Sequence, residues 1–98
     1  MELGVCKLRL RFPENHSLKE KRRVLNSIIT RVRNNFNVSI AEVDDQDRWQ
    51  IATLGIACVS NSHKRVNELL SKVIDFIAQS RFDVEILEQE IQIIPLEE

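Results

Sequence analysis

Residues 3–12, LGVCKLRLRF, alternate between apolar and basic side chains in their second half, and a proline follows at once. The residues on one side are Cys6, Leu8, Leu10 and Phe12, and those on the other side are Lys7, Arg9 and Arg11. A period of two is typical of a β-strand with one face in the core and one face in water. Pro13 has no N–H to donate to a neighbouring strand, so we expect the strand to end there.

The period changes to that of a helix directly after this strand. Ser17 and Glu20 have the spacing of a capping box, in which the hydroxyl accepts from a backbone N–H and the glutamate reaches back. Apolar residues then recur at intervals of three and four, namely Leu18, Val24, Leu25, Ile28, Ile29, Val32 and Phe36. This pattern predicts an amphipathic helix that begins at Ser17. Asn34, Asn35 and Asn37 predict its end, because asparagine tolerates the left-handed conformation.

The middle of the chain has the pattern of a β-hairpin. Residues 38–43, VSIAEV, predict a short strand, and residues 44–47, DDQD, predict its turn. The return strand is predicted over residues 48–60, RWQIATLGIACVS. Both sides of this strand are apolar enough to require cover.

A second helix and a last strand complete the pattern. Residues 60–62 offer N-cap side chains for the helix, whose apolar stripe is Val66, Leu69, Leu70, Val73, Phe76 and Ile77. The last strand is predicted over residues 82–94, with a bulge at residues 87–89, where the alternation changes phase. The order is therefore β-α-β-β-α-β in one domain, residues 1–98. Right-handed crossovers place both helices on one face of a four-stranded antiparallel sheet, which is an α+β ferredoxin-like sandwich with one open sheet face.

The composition predicts a cytoplasmic protein with reduced cysteines. No apolar run approaches the roughly 18–20 residues that cross a bilayer, and Glu2, Lys7 and Arg9 interrupt any signal-peptide core. Cys6 and Cys58 are far apart in sequence and lie in strand-like runs, so we expect buried thiols rather than a disulfide or a zinc site.

Charge is distributed unevenly along the chain, although the formal net charge is only −1. Residues 1–35 contain nine basic and three acidic residues, a net charge of +6, and residues 36–98 contain five basic and twelve acidic residues, a net charge of −7. Such asymmetry is a reason to look for a charged partner.

Five segments in order carry a resemblance to a known family: the opening GVC, SLKEKR, the run R-x-R-x-x-F-N-V-S-x-A-E-V, DQD-x-W-Q, and VSN. They span residues 4–61, and the chain resembles the YlxP-like family of small bacterial proteins. The resemblance implies a ferredoxin-like fold without an assigned activity. It also implies an association with translation, because the family's genes tend to lie beside those of a ribosome-binding factor and an initiation factor. It implies no catalytic residues.

Basic residues lie on one stripe of the first helix when it is wound at about 100° per residue. The stripe consists of Lys19, Arg22, Arg23, Asn26, Thr30 and Arg33. Together with the basic row of the first strand it predicts phosphate contacts to RNA, with rRNA or the ribosome as partner. The candidate contacts are Arg9, Arg11, Lys19, Arg22, Arg23 and Arg33. The alternative is an ordinary solvated helix face. Lys21 falls on the apolar side, where we expect its stem to extend to the surface.

The open sheet face also predicts a protein interface. An apolar patch on a sheet is expected to be covered, by a second copy in a homodimer, by a partner protein, or by strand ends and loops of the same chain. The candidate interface residues are Trp49, Ile51, Ala57 and Val59.

Chemistry on small molecules is not predicted. The aspartates of DDQD favour a turn and offer too short a loop for a metal site, and neither His16 nor His63 has a ligand-type neighbour at metal spacing. No glycine-rich phosphate loop or other cofactor motif is present. Acylphosphatases share the element order, but the loop PENHS (residues 13–17) lacks the glycines of a phosphate cradle. We therefore expect no catalytic residues, no metal, no cofactor and no small-molecule substrate.

Overall fold

The computed structural model describes residues 1–97 and contains four strands and two helices. In chain order they are β1 Glu2–Arg11, α1 Leu18–Asn35, β2 Ser39–Asp44, β3 Ile51–Ser60, α2 His63–Ala78 and β4 Glu85–Pro95. The strands form one antiparallel sheet in the order β2-β3-β1-β4. The predicted β-α-β-β-α-β order and the ferredoxin-like α+β fold are confirmed.

The core lies between one face of the sheet and the two helices. Leu8 and Leu10 of β1 alternate with exposed or half-buried basic residues, as the period of two predicts. Helix α1 packs towards the β2 side of the sheet, and α2 packs over β1, β3 and β4. The buried stripes of both helices belong to the same apolar cluster as the inner faces of β1 and β3. The other face of the sheet therefore carries no helix.

Helix α1 begins as predicted but ends differently. The Ser17 hydroxyl accepts from the N–H of Glu20 at 3.1 Å, and the Glu20 carboxylate accepts from the N–H of His16 at 3.2 Å. The predicted left-handed asparagine end is wrong, because Asn35 is still helical and Phe36 leaves the helix in an extended conformation (φ −137°). The Phe36 ring packs edge-on against Phe76 of α2 at 5.4 Å, so a hydrophobic contact holds this end of the helix.

The strands after the first helix are shorter than predicted at their starts. Strand β3 begins at Ile51 rather than at residue 48, because residues 48–50 belong to the connection from β2. Trp49 therefore lies before the strand. Strand β4 begins at Glu85 rather than at residue 82. Its predicted bulge is confirmed by a register shift that leaves Leu87 without a partner on β1.

Both cysteines are free thiols on the buried side of the sheet, as predicted. Burial raises the pKa of the Cys6 thiol to about 11 and also raises that of Cys58. The thiolate is the nucleophilic form, so neither residue is activated for chemistry near neutral pH. Neither helix within residues 1–97 is long and apolar enough to span a bilayer.

Candidate nucleic-acid interface

The outer face of α1 is basic and faces solvent. Lys19, Arg22, Arg23 and Arg33 are all exposed, on the side of the helix away from its buried stripe. Among residues 1–97, no carboxylate lies within 4.0 Å of any of their charged groups. The nearby acid, Glu20, is used by the N-terminal cap. Arg33 donates to the backbone carbonyl of Ile40 at 2.9 Å, which joins the end of the helix to β2.

The basic row of β1 lies on the open sheet face, as predicted, but acidic residues flank it. In the register of β1 with β4, Lys7, Arg9 and Arg11 stand opposite Glu90, Glu88 and Glu85. The Arg11 guanidinium lies 3.5 Å from the Glu85 carboxylate, and the Lys7 ammonium lies 4.0 Å from that of Glu88. The two basic rows therefore lie on opposite faces of the sheet and do not join. Arg9 and Arg11 are therefore less available for phosphate binding than the basic residues of α1.

Asp45 folds the β2–β3 connection onto the open face. It adopts the left-handed conformation (φ 62°), which aspartate tolerates. Its carboxylate accepts from the Thr53 hydroxyl at 2.7 Å and lies 3.4 Å from Arg9 Nε. The hydrogen bond from Thr53, together with the charges of Arg9 and Arg48, holds the pKa of Asp45 below its usual value. Thr53 is consequently only 2% exposed, although it lies on the face without helices.

Lys21 does not reach the surface, so that prediction is wrong. Its side chain is fully buried, and its ammonium donates to the carbonyls of Asp45 at 2.7 Å and Ile51 at 2.9 Å. The same nitrogen lies 3.0 Å from Glu42 Oε2, an ion pair without good hydrogen-bond alignment. The physical reason is the β2–β3 connection, which folds over the ammonium and supplies carbonyl oxygens in place of water.

The β2–β3 connection, the β1–α1 loop and the start of α1 meet at one end of the molecule. The Gln50 side-chain amide donates to the carbonyls of Pro13 at 3.3 Å and Asn15 at 3.0 Å, and Phe12 N–H donates to the Gln50 carbonyl. A shallow hollow of about 560 Å³ opens at this end. The residues that line it are Arg11, Asp47, Arg48, Trp49, Gln50 and Ile51. We call it the Trp49 hollow.

The opposite end of the open face is apolar. Leu3 stands between Val59 on β3 and Ile94 on β4, and Val5 stands beside Ala57. Val59 is 62% exposed. We call this set, with the exposed Met1 and Leu96 that continue it, the apolar end.

The predicted interface residues do not form one patch. Ile51, Ala57 and Val59 lie on the open face as predicted, but Ile51 and Val59 are eight positions apart on β3, about 26 Å at the usual rise per residue. Trp49 lies beyond Ile51. The sequence did not identify Ile94 as a neighbour of Leu3. That pairing depends on the register of β4 against β1, and the bulge changes this register within the strand.

Side chains of metal-ligand type do not gather within residues 1–97: no group of three or more His, Cys, Asp or Glu residues is placed to hold an ion. In the turn, the Asp44 carboxylate accepts from the N–H of Asp45, and the Asp45 carboxylate is bound by Thr53.

Comparison with known proteins places this fold in a family. The model of DUF503, described as a protein family of unknown function, matches residues 3–91. The chain belongs to the DUF503 family. Over 61 residues it is 54% identical to the uncharacterized protein YlxP of Bacillus subtilis (strain 168). That match covers 62% of this chain and 66% of YlxP, slightly under two thirds of its length. The resemblance to the YlxP-like family is confirmed. The descriptions of the family and of YlxP name no activity and no ligand.

Proposed function

We propose that this DUF503 protein is a non-enzymatic factor that binds RNA, including RNA of the ribosome, through the outer face of α1. The observation that carries the proposal is the contrast between two basic rows. Every basic side chain on β1 lies within 4.0 Å of a carboxylate, whereas Lys19, Arg22 and Arg23 have no such partner within residues 1–97. A phosphate can therefore approach these three without displacing an acid.

The geometry of α1 suits a phosphate backbone. Lys19 and Arg33 are 14 positions apart, about 21 Å along the helix axis. Side chains spaced along such a length can contact several phosphates of one strand or of a duplex. Contacts of this kind release counterions, so the binding is expected to depend on salt and to tolerate differences of sequence.

The test is a filter-binding titration of an RNA hairpin with single-stranded tails, repeated at several salt concentrations. The triple variant Lys19→Gln, Arg22→Gln, Arg23→Gln is expected to lower the slope of log affinity against log salt by about two to three, because each lost phosphate contact lowers it by nearly one. Its affinity is expected to fall about tenfold or more at physiological salt.

A matched control removes the same charge from α2. The triple variant Lys64→Gln, Arg65→Gln, Lys72→Gln changes three exposed basic residues, and we expect it to keep most of the affinity. Equal losses in both variants would mean that only net charge matters, and no binding of the native protein at low salt would end the proposal. Co-sedimentation with ribosomes in the same buffers tests the ribosomal target directly.

A second candidate function, self-association, is favoured by the apolar end. Val59 and Ile94 are exposed and flank the half-buried Leu3 on three neighbouring sheet positions, and such an apolar surface is expected to be covered. A two-fold axis that runs across the strands at the apolar end would pack the apolar ends of two copies against each other. It would also keep the charged ends of the two copies apart, so a second copy suits this surface.

Val59→Glu is expected to abolish self-association, because it would place a carboxylate beside Leu3 within that contact. Sedimentation velocity over a range of concentrations measures it. Leu87→Glu is the control, since Leu87 is an exposed residue at the β4 bulge, beside the charged part of the face. A native protein that stays monomeric at high concentration would remove this candidate.

A further inference from the structure

We infer that the Trp49 hollow is a site for single-stranded RNA, in which the Trp49 indole stacks on an unpaired base and the Arg11 and Arg48 guanidiniums meet the flanking phosphates. The inference rests on the proposed function and names the form of RNA bound. Its observation is an exposed aromatic ring that lines a shallow hollow together with Arg11 and Arg48.

Among the phenylalanines and the tryptophan within residues 1–97, Trp49 is the one whose ring is exposed. The chain has four phenylalanines, one tryptophan and no tyrosine. Phe12 is buried, and the other three phenylalanines pack against the core. Trp49 is 55% exposed. Bases stack on aromatic rings in most single-strand sites, and the exposed Trp49 indole offers such a surface.

The connection that carries Trp49 is held in place on both sides. Gln50, the next residue, is bonded to the β1–α1 loop through its side chain and to Phe12 through its carbonyl. The carbonyls of Asp45 and Ile51 are bonded to Lys21. A ring on a fixed backbone loses less entropy on binding than one on a mobile loop.

The arginines of the hollow can exchange their present partners for phosphate. Arg11 and Glu85 are both about half exposed at 3.5 Å, and Arg48 lies 3.9 Å from Asp45, beyond hydrogen-bond distance. Exposed pairs of this kind contribute little, so a phosphate can displace the carboxylate. Asp47 also lines the hollow and opposes an anion there.

The hollow lies at the same end of the molecule as the first turns of α1. Lys21 joins the first turns of α1 to the β2–β3 connection, so Lys19 and Arg22 lie at the same end of the molecule as Trp49. A strand whose phosphates follow α1 can turn at this end and present its next base to the indole. Duplex RNA has no free base to offer, so the site distinguishes single strands from duplexes.

Trp49 is the single tryptophan of the sequence, so tryptophan fluorescence reports on the Trp49 hollow directly. We expect a short single-stranded RNA to quench the emission of Trp49, because a stacked base quenches an indole. Inorganic polyphosphate, which has no bases, is expected to compete with RNA for the protein without quenching. Trp49→Leu is expected to lower the affinity for the single strand about tenfold, and Trp49→Phe to keep most of it. Neither variant is expected to change the affinity for duplex RNA of the same length.

Two results would overturn the inference and leave the proposed function standing. One is salt-dependent RNA binding with unchanged Trp49 emission and an unchanged single-strand affinity in Trp49→Leu. The other is a blue shift of the emission with protein concentration alone, which would make Trp49 a protein-contact residue. The absence of any RNA binding at low salt would overturn both proposals, so the two failures are distinguishable.

Discussion

Lys21→Met is expected to lower the free energy of unfolding by about 3 kcal/mol, the largest loss that we expect from a single polar side chain here. Methionine fills the volume of the lysine stem but donates no hydrogen bond. The carbonyls of Asp45 and Ile51 would then lose a charged donor in a site that excludes water. Glu42 Oε2, which is buried and accepts no hydrogen bond within residues 1–97, would lose its counter-charge.

Urea denaturation measures this loss, with two comparisons. Lys19→Met changes an exposed lysine two positions earlier and is expected to cost less than about 0.5 kcal/mol. The double variant Lys21→Met, Glu42→Gln is expected to recover part of the loss, because the stranded carboxylate charge is gone. A Lys21→Met protein as stable as the native one would show that the ammonium does not hold the β2–β3 connection.

Gly4→Ala is expected to cost about 2 kcal/mol through overpacking. Gly4 lies on the buried side of β1 beneath α2, and a Cβ there would be 2.1 Å from Val66 Cγ1 and 3.0 Å from Leu70 Cδ1. Val66 and Leu70 are fully buried, so neither can rotate into open space. The helix or the strand has to shift instead.

Gly55→Ala is the matched control for Gly4→Ala. A Cβ at Gly55 would meet Val43 Cγ1 at 2.9 Å, but Val43 is exposed and can move aside. Thermal unfolding followed by circular dichroism compares the two proteins. We expect a clear fall in the melting temperature for Gly4→Ala and a small change for Gly55→Ala. If the two substitutions had equal effects, the close approach of α2 at Gly4 would not be limiting.

The predictability of the fold and of the site differs along the chain. Residues 6–12 display their period without interruption, and residues 17–36 do so apart from Lys21, so strand, helix and inward face follow from the sequence. The bulge on β4 also leaves a local trace, the change of phase at residues 87–89. The start of β3 has no such local signal, because the sequence RWQ (residues 48–50) could equally extend the strand. Hydrogen bonds from the Gln50 side chain to the β1–α1 loop, which is distant in sequence, keep Gln50 out of the strand.

The order of the elements, the faces that β1, α1 and α2 bury and the basic stripe of α1 follow from the sequence alone, because these features depend on neighbours a few residues apart. Which charges remain without partners depends instead on contacts between elements that are distant in sequence. The register of β1 with β4 sets glutamates beside the β1 basic row, and the β2–β3 connection buries Lys21. The flanking glutamates and the burial of Lys21 both depend on pairings between residues distant in sequence. A helical or strand period reflects only nearby residues and so cannot predict such pairings.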